Sequence, residues 1–278
     1  MLVFFGTSPR SAKFLKLAAG NGLKFDLIIS EPPKPIDKKQ ILTENSTVLT
    51  AKELKIDFIT SFEKLKPNHL VLGLILDFNK IIPSPTINLF KMGIINVHFS
   101  KLPRYRGPAP VQYTILNGDP QAWITYYLIS EKFDTGKILK QTPLDLDFTE
   151  NTESLYQKLI AKSALEIKNV LEEYLEGKIT PAQQQGTPSL THKLTTENCR
   201  IDWSKSPEEI ERLIRAAFPE PTAWTSVQIP PEKRLKILKA HLEKNQLVLD
   251  QVQLEGKKPV TFKQFQQGYP NINLTSKV

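Results

Sequence analysis

An amide and an imidazole stand two residues apart in the stretch "INVHFSKLPRYRG", as Asn96 and His98. In a strand, side chains at i and i+2 share one face, so the two project together while Val97 points away. An Asn amide donates a hydrogen bond to a carbonyl oxygen that is gaining negative charge. An imidazole takes or delivers a proton near neutral pH. The pair sits where an apolar strand gives way to a loop, and the carboxyl edge of a parallel sheet is where ligands bind. Taken alone, it also fits a polar pair satisfied inside a core. A second candidate is Asp134 in "SEKFDTGKIL", an acid at a turn before Thr135 and Gly136. Acids at turns commonly serve as caps or as solvated charges. The single cysteine, Cys199, excludes an internal disulfide and a cysteine-based metal cluster, and fits a reducing cytoplasm. Nothing around it marks a nucleophile. No metal is implied.

The elements around these residues alternate. "LVFFG" is a short apolar strand. Next, "TSPRSAKFLKLAAGNG" offers Ser8 as N-cap, Pro9 at the first helical position and Gly20 or Gly22 as the stop. "FDLIIS" and "IDFIT" are strands flanking a helix at "TVLTAKELK". "NHLVLGLIL" reads as a long, fully buried strand, and "IINVHFS" follows. Apolar runs separated by helices predict a mostly parallel, Rossmann-like α/β sheet covered on both faces. The turn "GTSP" carries one glycine where a dinucleotide fingerprint has three, which argues against a nucleotide pyrophosphate. A long amphipathic helix ends near Gly177, and a Pro-, Gln- and Thr-rich stretch, 181–193, resembles a linker. Ser206, Pro207 and Glu209 open a further helix with a capping-box pattern. Short strand candidates follow, so residues 194–278 are expected to form a smaller, mostly β domain after a first domain of residues 1–180.

Taken together, these pieces resemble a known family. The order Asn96, His98, Ser100, Pro103 and Gly107, followed by "FDTGKIL", is similar to the formyltransferases that use 10-formyltetrahydrofolate. The fuller string "INVHFSKLPRYRGPAPVQYTILNGD" and the later "RIDWSKSPEEIERLIRAAFPEPTAW" are most similar to the members that act on methionyl-tRNA. The resemblance covers nearly the whole chain, and it implies that residues 1–180 are the catalytic domain and that residues 194–278 are a truncated OB-like barrel. It implies that Asn96 holds a developing oxyanion, that His98 moves a proton or stabilises that oxyanion, and that Asp134 orients the imidazole. It also assigns Ser100, Lys101, Leu102 and Pro103 to contact with the folate donor. Two departures stand out. Phe99 replaces the family's usual glycine, where a bulky ring is expected to narrow or re-aim the loop, and Lys101 replaces a leucine. Asn79 takes another glycine's place, where its tolerance of left-handed backbone preserves the turn.

The formal charge of +8 favours a polyanionic partner. By the resemblance that partner is methionyl initiator tRNA, met by Lys34, Lys38 and Lys39 in one loop and by Arg104 and Arg106 beside the active loop. Further cations, Lys233, Arg234, Lys236, Lys239 and Lys244, are expected to neutralise backbone phosphates. No signal peptide or membrane span is evident, so a monomeric cytoplasmic protein is expected. Other readings are a sugar-nucleotide N-formyltransferase, which shares the Asn–His–Asp set, a non-catalytic RNA-binding module, and a formyltetrahydrofolate hydrolase.

Overall fold

The computed structural model of the chain describes residues 1–36, 41–66, 69–272 and 274. It divides into two compact units. The first comprises residues 1–107, 123–144 and 156–190; the second comprises 108–122, 145–155 and 191–278.

The chain begins with β1 (Leu2–Phe5), α1 (Pro9–Gly20) and β2 (Leu27–Ile29). A small antiparallel hairpin of β3 (Lys34–Ile36) and β4 (Ile41–Thr43) precedes α2 (Ser46–Glu53) and β5 (Phe58–Ile59). Then come β6 (Leu72–Ile75), the short α3 (Ser84–Ile87), β7 (Ile94–His98), α4 (Pro110–Leu116), β8 (Gln121–Leu128), β9 (Ile138–Asp145) and the long α5 (Thr152–Leu175). The main sheet runs β5-β2-β1-β6-β7-β8-β9. From β5 to β7 all neighbours are parallel, and β8 then lies antiparallel to β7. Alternation along β1 feeds both faces of this sheet. Phe4 stacks on Phe14 of α1 with ring centroids 5.8 Å apart, while Val3 and Phe5 enter a cluster with Ile29, Leu70, Ile75 and Ile94.

Local chemistry sets the element ends. Ser8 caps α1 by accepting from the backbone amides of Arg10 and Ser11, with Pro9 at the first helical position as expected. The helix closes on Asn21, and Gly22 follows at φ +82°. The strand read from "NHLVLGLIL" is shorter than expected. Only Leu72–Ile75 are paired, because β1 and β7 on either side offer equally short ladders. The left-handed residue of the following turn is Asp77, at φ +52°, rather than Asn79. Asp77 is held there by the Ser8 hydroxyl, which donates to its Oδ2 at 2.6 Å.

The second unit has an antiparallel sheet, β10 (Ala223–Val227), β11 (Lys233–Glu243), β12 (Gln246–Leu254) and β13 (Val260–Thr261), with α6 (Pro207–Ala217) and α7 (Phe262–Gly268). Its core gathers Cys199, Ile210, Ile214, Trp224, Leu235, Ile237, Val252 and Phe265. Ser206 and Glu209 form the expected capping box at the start of α6. α4 packs on α6 inside this unit, and Arg215 of α6 pairs with Glu211 while donating to the Glu150 carbonyl at 2.8 Å. A cavity of about 660 Å³ beside α6 and β11 is lined by Phe148, Arg212, Lys239 and His241 among others. Among the described residues no helix is long and apolar enough to cross a membrane.

Candidate active site

β7 carries Asn96 and His98 to its carboxyl end, flanked by the apolar Ile95 and Val97 that anchor the opposite face. Its antiparallel neighbour β8 sets Tyr127 directly across from Asn96 and Thr125 across from His98. Directly paired residues share a face, so four polar side chains converge on one patch of sheet.

The imidazole of His98 is buried. Its Nε2 lies 3.0 Å from the Tyr105 carbonyl oxygen, which can only accept, so Nε2 carries the proton of the neutral ring. Nδ1 then faces Asp134 Oδ2 at 3.8 Å, within ion-pair range but beyond a hydrogen bond. Thus the Tyr105 carbonyl fixes the ring, and Nδ1 is the nitrogen left to gain and lose a proton beside a carboxylate. Asp134 itself, at φ +52° and 9% exposed, accepts from the Gly107 amide at 2.6 Å through Oδ2. Its Oδ1 accepts from the Tyr127 hydroxyl at 2.6 Å, and the Tyr127 oxygen accepts from Asn96 Nδ2 at 2.9 Å. Burial, with the Asp134 carboxylate second, pushes the Tyr127 phenol well above its ordinary value, so it stays a neutral donor.

The loop after β7 is built to hold this cluster. The Leu102–Pro103 peptide is cis, and Tyr105 adopts φ +59°. Ser100 Oγ donates to the Arg104 carbonyl at 2.7 Å, and Thr125 Oγ1 donates to the Ser100 carbonyl at 2.5 Å. Gln141 Nε2 donates both to the Leu102 carbonyl and to Thr125 Oγ1 at 2.9 Å. Of the four residues assigned to folate contact, Ser100, Leu102 and Pro103 have buried side chains. Lys101 is exposed, with Nζ 4.2 Å from the centre of the Trp123 ring. The Phe99 ring is buried in an edge contact with Tyr156 at 5.9 Å, which accounts for its volume without a place in the loop's outer surface.

The stretch expected as a linker contributes too. Gln184 Nε2 donates to the carbonyls of Asp134 and Gly136, both at 2.9 Å, while its Oε1 accepts from Arg106 Nη2 at 2.7 Å. Ser189 accepts the Tyr105 amide on its Oγ at 2.9 Å, and its carbonyl accepts the Arg106 amide at 2.9 Å. Gly136 packs so closely on β8 that a Cβ would lie 1.6 Å from the Leu128 carbonyl oxygen. Of the cations expected to meet RNA, Lys34 is exposed and paired with Glu31 at 2.8 Å. Arg104 donates to the Tyr105 hydroxyl at 2.7 Å. Lys38 and Lys39 lie outside the described residues.

Sequence reading missed Tyr127, Gln184 and Ser189. Only the register of β8 on β7 could have pointed to Tyr127, and strand pairing is not written into local periodicity.

The chain has known relatives. A formyl transferase family model matches residues 2–170, and a formyl transferase C-terminal domain model matches residues 193–247. The chain belongs to the formyltransferase family. Like its relatives, this formyltransferase is an enzyme of formyl transfer. It is 29% identical to a methionyl-tRNA formyltransferase of Thermodesulfovibrio yellowstonii, over 96% of this chain and 95% of that protein. It is 31% identical to a methionyl-tRNA formyltransferase of Bacillus cereus, over 81% of this chain and 75% of the other. Among solved structures, methionyl-tRNA formyltransferase from Clostridium thermocellum matches with a TM-score of 0.65 at 19% identity, covering 91% of this chain and 97% of that one. An N-formyltransferase from Helicobacter canadensis, in complex with folinic acid and dTDP-3-aminofucose, matches with a TM-score of 0.65 at 23% identity, covering 87% of each chain. Those structural likenesses establish the fold, a Rossmann-like sheet followed by a small antiparallel β unit.

Proposed function

We propose that this formyltransferase moves the formyl group of 10-formyltetrahydrofolate onto the α-amino group of methionyl initiator tRNA, for translation initiation. The observation that carries the choice of acceptor is the near end-to-end match to a methionyl-tRNA formyltransferase, 29% identical over 96% of the chain. The charge of +8 is in keeping with an RNA substrate.

The site's chemistry suits an amine and a formyl carbonyl. When the amine adds to the carbonyl carbon, charge builds on the carbonyl oxygen, and the half-buried Asn96 amide is the donor placed to meet it. The attacking nitrogen must shed a proton, and the departing N10 must gain one. His98 Nδ1 takes and returns that proton, with the Asp134 carboxylate 3.8 Å away. The new C–N bond forms first, and the C–N bond to N10 breaks as the tetrahedral adduct collapses, leaving tetrahydrofolate and an N-formyl amine. The exposed Lys101 ammonium complements the carboxylates of a folate tail. Arg104 and the hairpin bearing Lys34 serve the RNA, with residues 194–278 as the RNA-binding domain. A translation role places the protein in the cytoplasm.

A sugar-nucleotide acceptor is the second reading, favoured by the equal structural likeness to an N-formyltransferase bound to dTDP-3-aminofucose. Incubation with 10-formyltetrahydrofolate and either charged initiator tRNA or a dTDP-amino sugar decides between them. Formylation of the methionyl amine alone is expected; formylation of the sugar alone removes the tRNA reading.

A further inference from the structure

Tyr127 is a buried phenol between the two ends of the site, and the mechanism above gives it no task. The hydrogen-bonding capacity of its neighbours nonetheless fixes every proton around it. An ionised Asp134 can only accept, so the phenol O–H must point at Oδ1, as it does at 2.6 Å. The phenol oxygen, having spent its proton, can only accept from Asn96. The amide must therefore present its NH2 group and not its carbonyl, which is the arrangement found, at 2.9 Å. One Nδ2 hydrogen goes to Tyr127, and the second remains for a substrate oxygen.

We infer that Tyr127 is a positioning residue that locks the Asn96 amide in the donor-forward orientation needed at the formyl oxygen and ties it to the Asp134 carboxylate. Without the phenol, rotation about the Asn96 side chain would bring its carbonyl oxygen towards a developing negative charge. The neutral form of the phenol is what the lock requires, and burial secures it. Tyr127 is 2% exposed, so its ring also fills volume, but that role needs no hydroxyl. The inference rests on the assignment of Asn96 as the oxyanion donor.

The test separates the hydroxyl from the ring. In Tyr127→Phe the ring stays and the lock goes. With whichever amine the wild type formylates, kcat is expected to fall about ten-fold, a fraction of the ~10²–10³ for full loss of a donor. KM for donor and amine should stay within about two-fold, because the lock acts on charge that develops after binding. The double variant Tyr127→Phe/Asn96→Ala should be no slower than Asn96→Ala alone, within about two-fold. A wild-type kcat in Tyr127→Phe, or losses that multiply in the double variant, would overturn the inference. A readout without turnover keeps this distinct from the choice of acceptor. The Asn96 side-chain NH2 resonances of the wild type should show one exchange-protected hydrogen, lost in Tyr127→Phe. If that hydrogen is equally protected in the variant, or unprotected in the wild type, the lock does not exist, whatever amine the enzyme uses.

Discussion

The bond from His98 Nε2 to the Tyr105 carbonyl decides which nitrogen can work, because a carbonyl oxygen never donates. In the proposed mechanism, proton traffic is thereby confined to Nδ1, on the Asp134 side. His98→Ala should lower kcat by about 10²–10⁴, the usual range for a lost acid–base group, with binding of the acceptor retained; steady-state kinetics at saturating substrate read this directly. Gly136 carries a different demand, that of space. A methyl there would overlap the Leu128 carbonyl oxygen, so Gly136→Ala should destabilise by more than the ~1–3 kcal/mol of ordinary overpacking, measured by the urea midpoint. At this scale the i, i+2 spacing made Asn96 and His98 legible, since alternation in a strand is local. Asp134 stood out only through the family resemblance, because the turn that lifts it to φ +52° has no local marker beyond Thr135 and Gly136. Asn79 misled for a similar reason: the strained position fell two residues earlier, at Asp77, where a bond from Ser8 holds it.

Helices and strands were more legible than their ends and their partners. The N-caps Ser8 and Ser206 followed from side-chain chemistry that acts within three residues. The hairpin of β3 and β4 was not foreseen, because Pro-rich segments rarely pair and its register depends on a contact between two edges. The short turn at 197–199 brings Cys199 into the core of the second unit, where burial raises its thiol from 9.0 to about 11. The sign follows from linkage. Below pH 9 the thiol is protonated in both folded and unfolded chains, and its burial favours the fold in full. Between pH 9 and 11 only the unfolded thiol ionises, so this contribution is lost as pH rises. Urea midpoints should therefore drop from pH 8 to pH 10 by more in the wild type than in Cys199→Ala. In the folded protein, a thiol-specific disulfide reagent should react slowly at pH 8.

For the molecule as a whole, composition indicated an anionic partner, and the distribution of cations shows how they are spent. Arg215 is paired internally with Glu211, and Arg106 is bound to Gln184, whereas Lys101, Arg104 and Lys239 are exposed. If the acceptor is tRNA, its KM should climb steeply between low and moderate salt while KM for the folate donor changes little. Steady-state kinetics from 50 to about 200 mM salt check this; a flat tRNA response removes the RNA reading. The sheet order was foreseeable in type, since apolar runs alternating with helices specify a parallel sheet. That 108–122 and 145–155 group with the C-terminal unit was not foreseeable, because it depends on contacts such as α4 on α6 between distant stretches of sequence.

The bonds from Gln184 and Ser189 bear on how a chimera of this enzyme would have to be cut. A graft of a foreign C-terminal unit spliced just after Gly177, where the long helix visibly stops, would discard the side chains that brace the backbone of Asp134 and Tyr105. A junction beyond Leu190 would carry them along, so the natural seam for recombination lies about a dozen residues later than the helix end suggests.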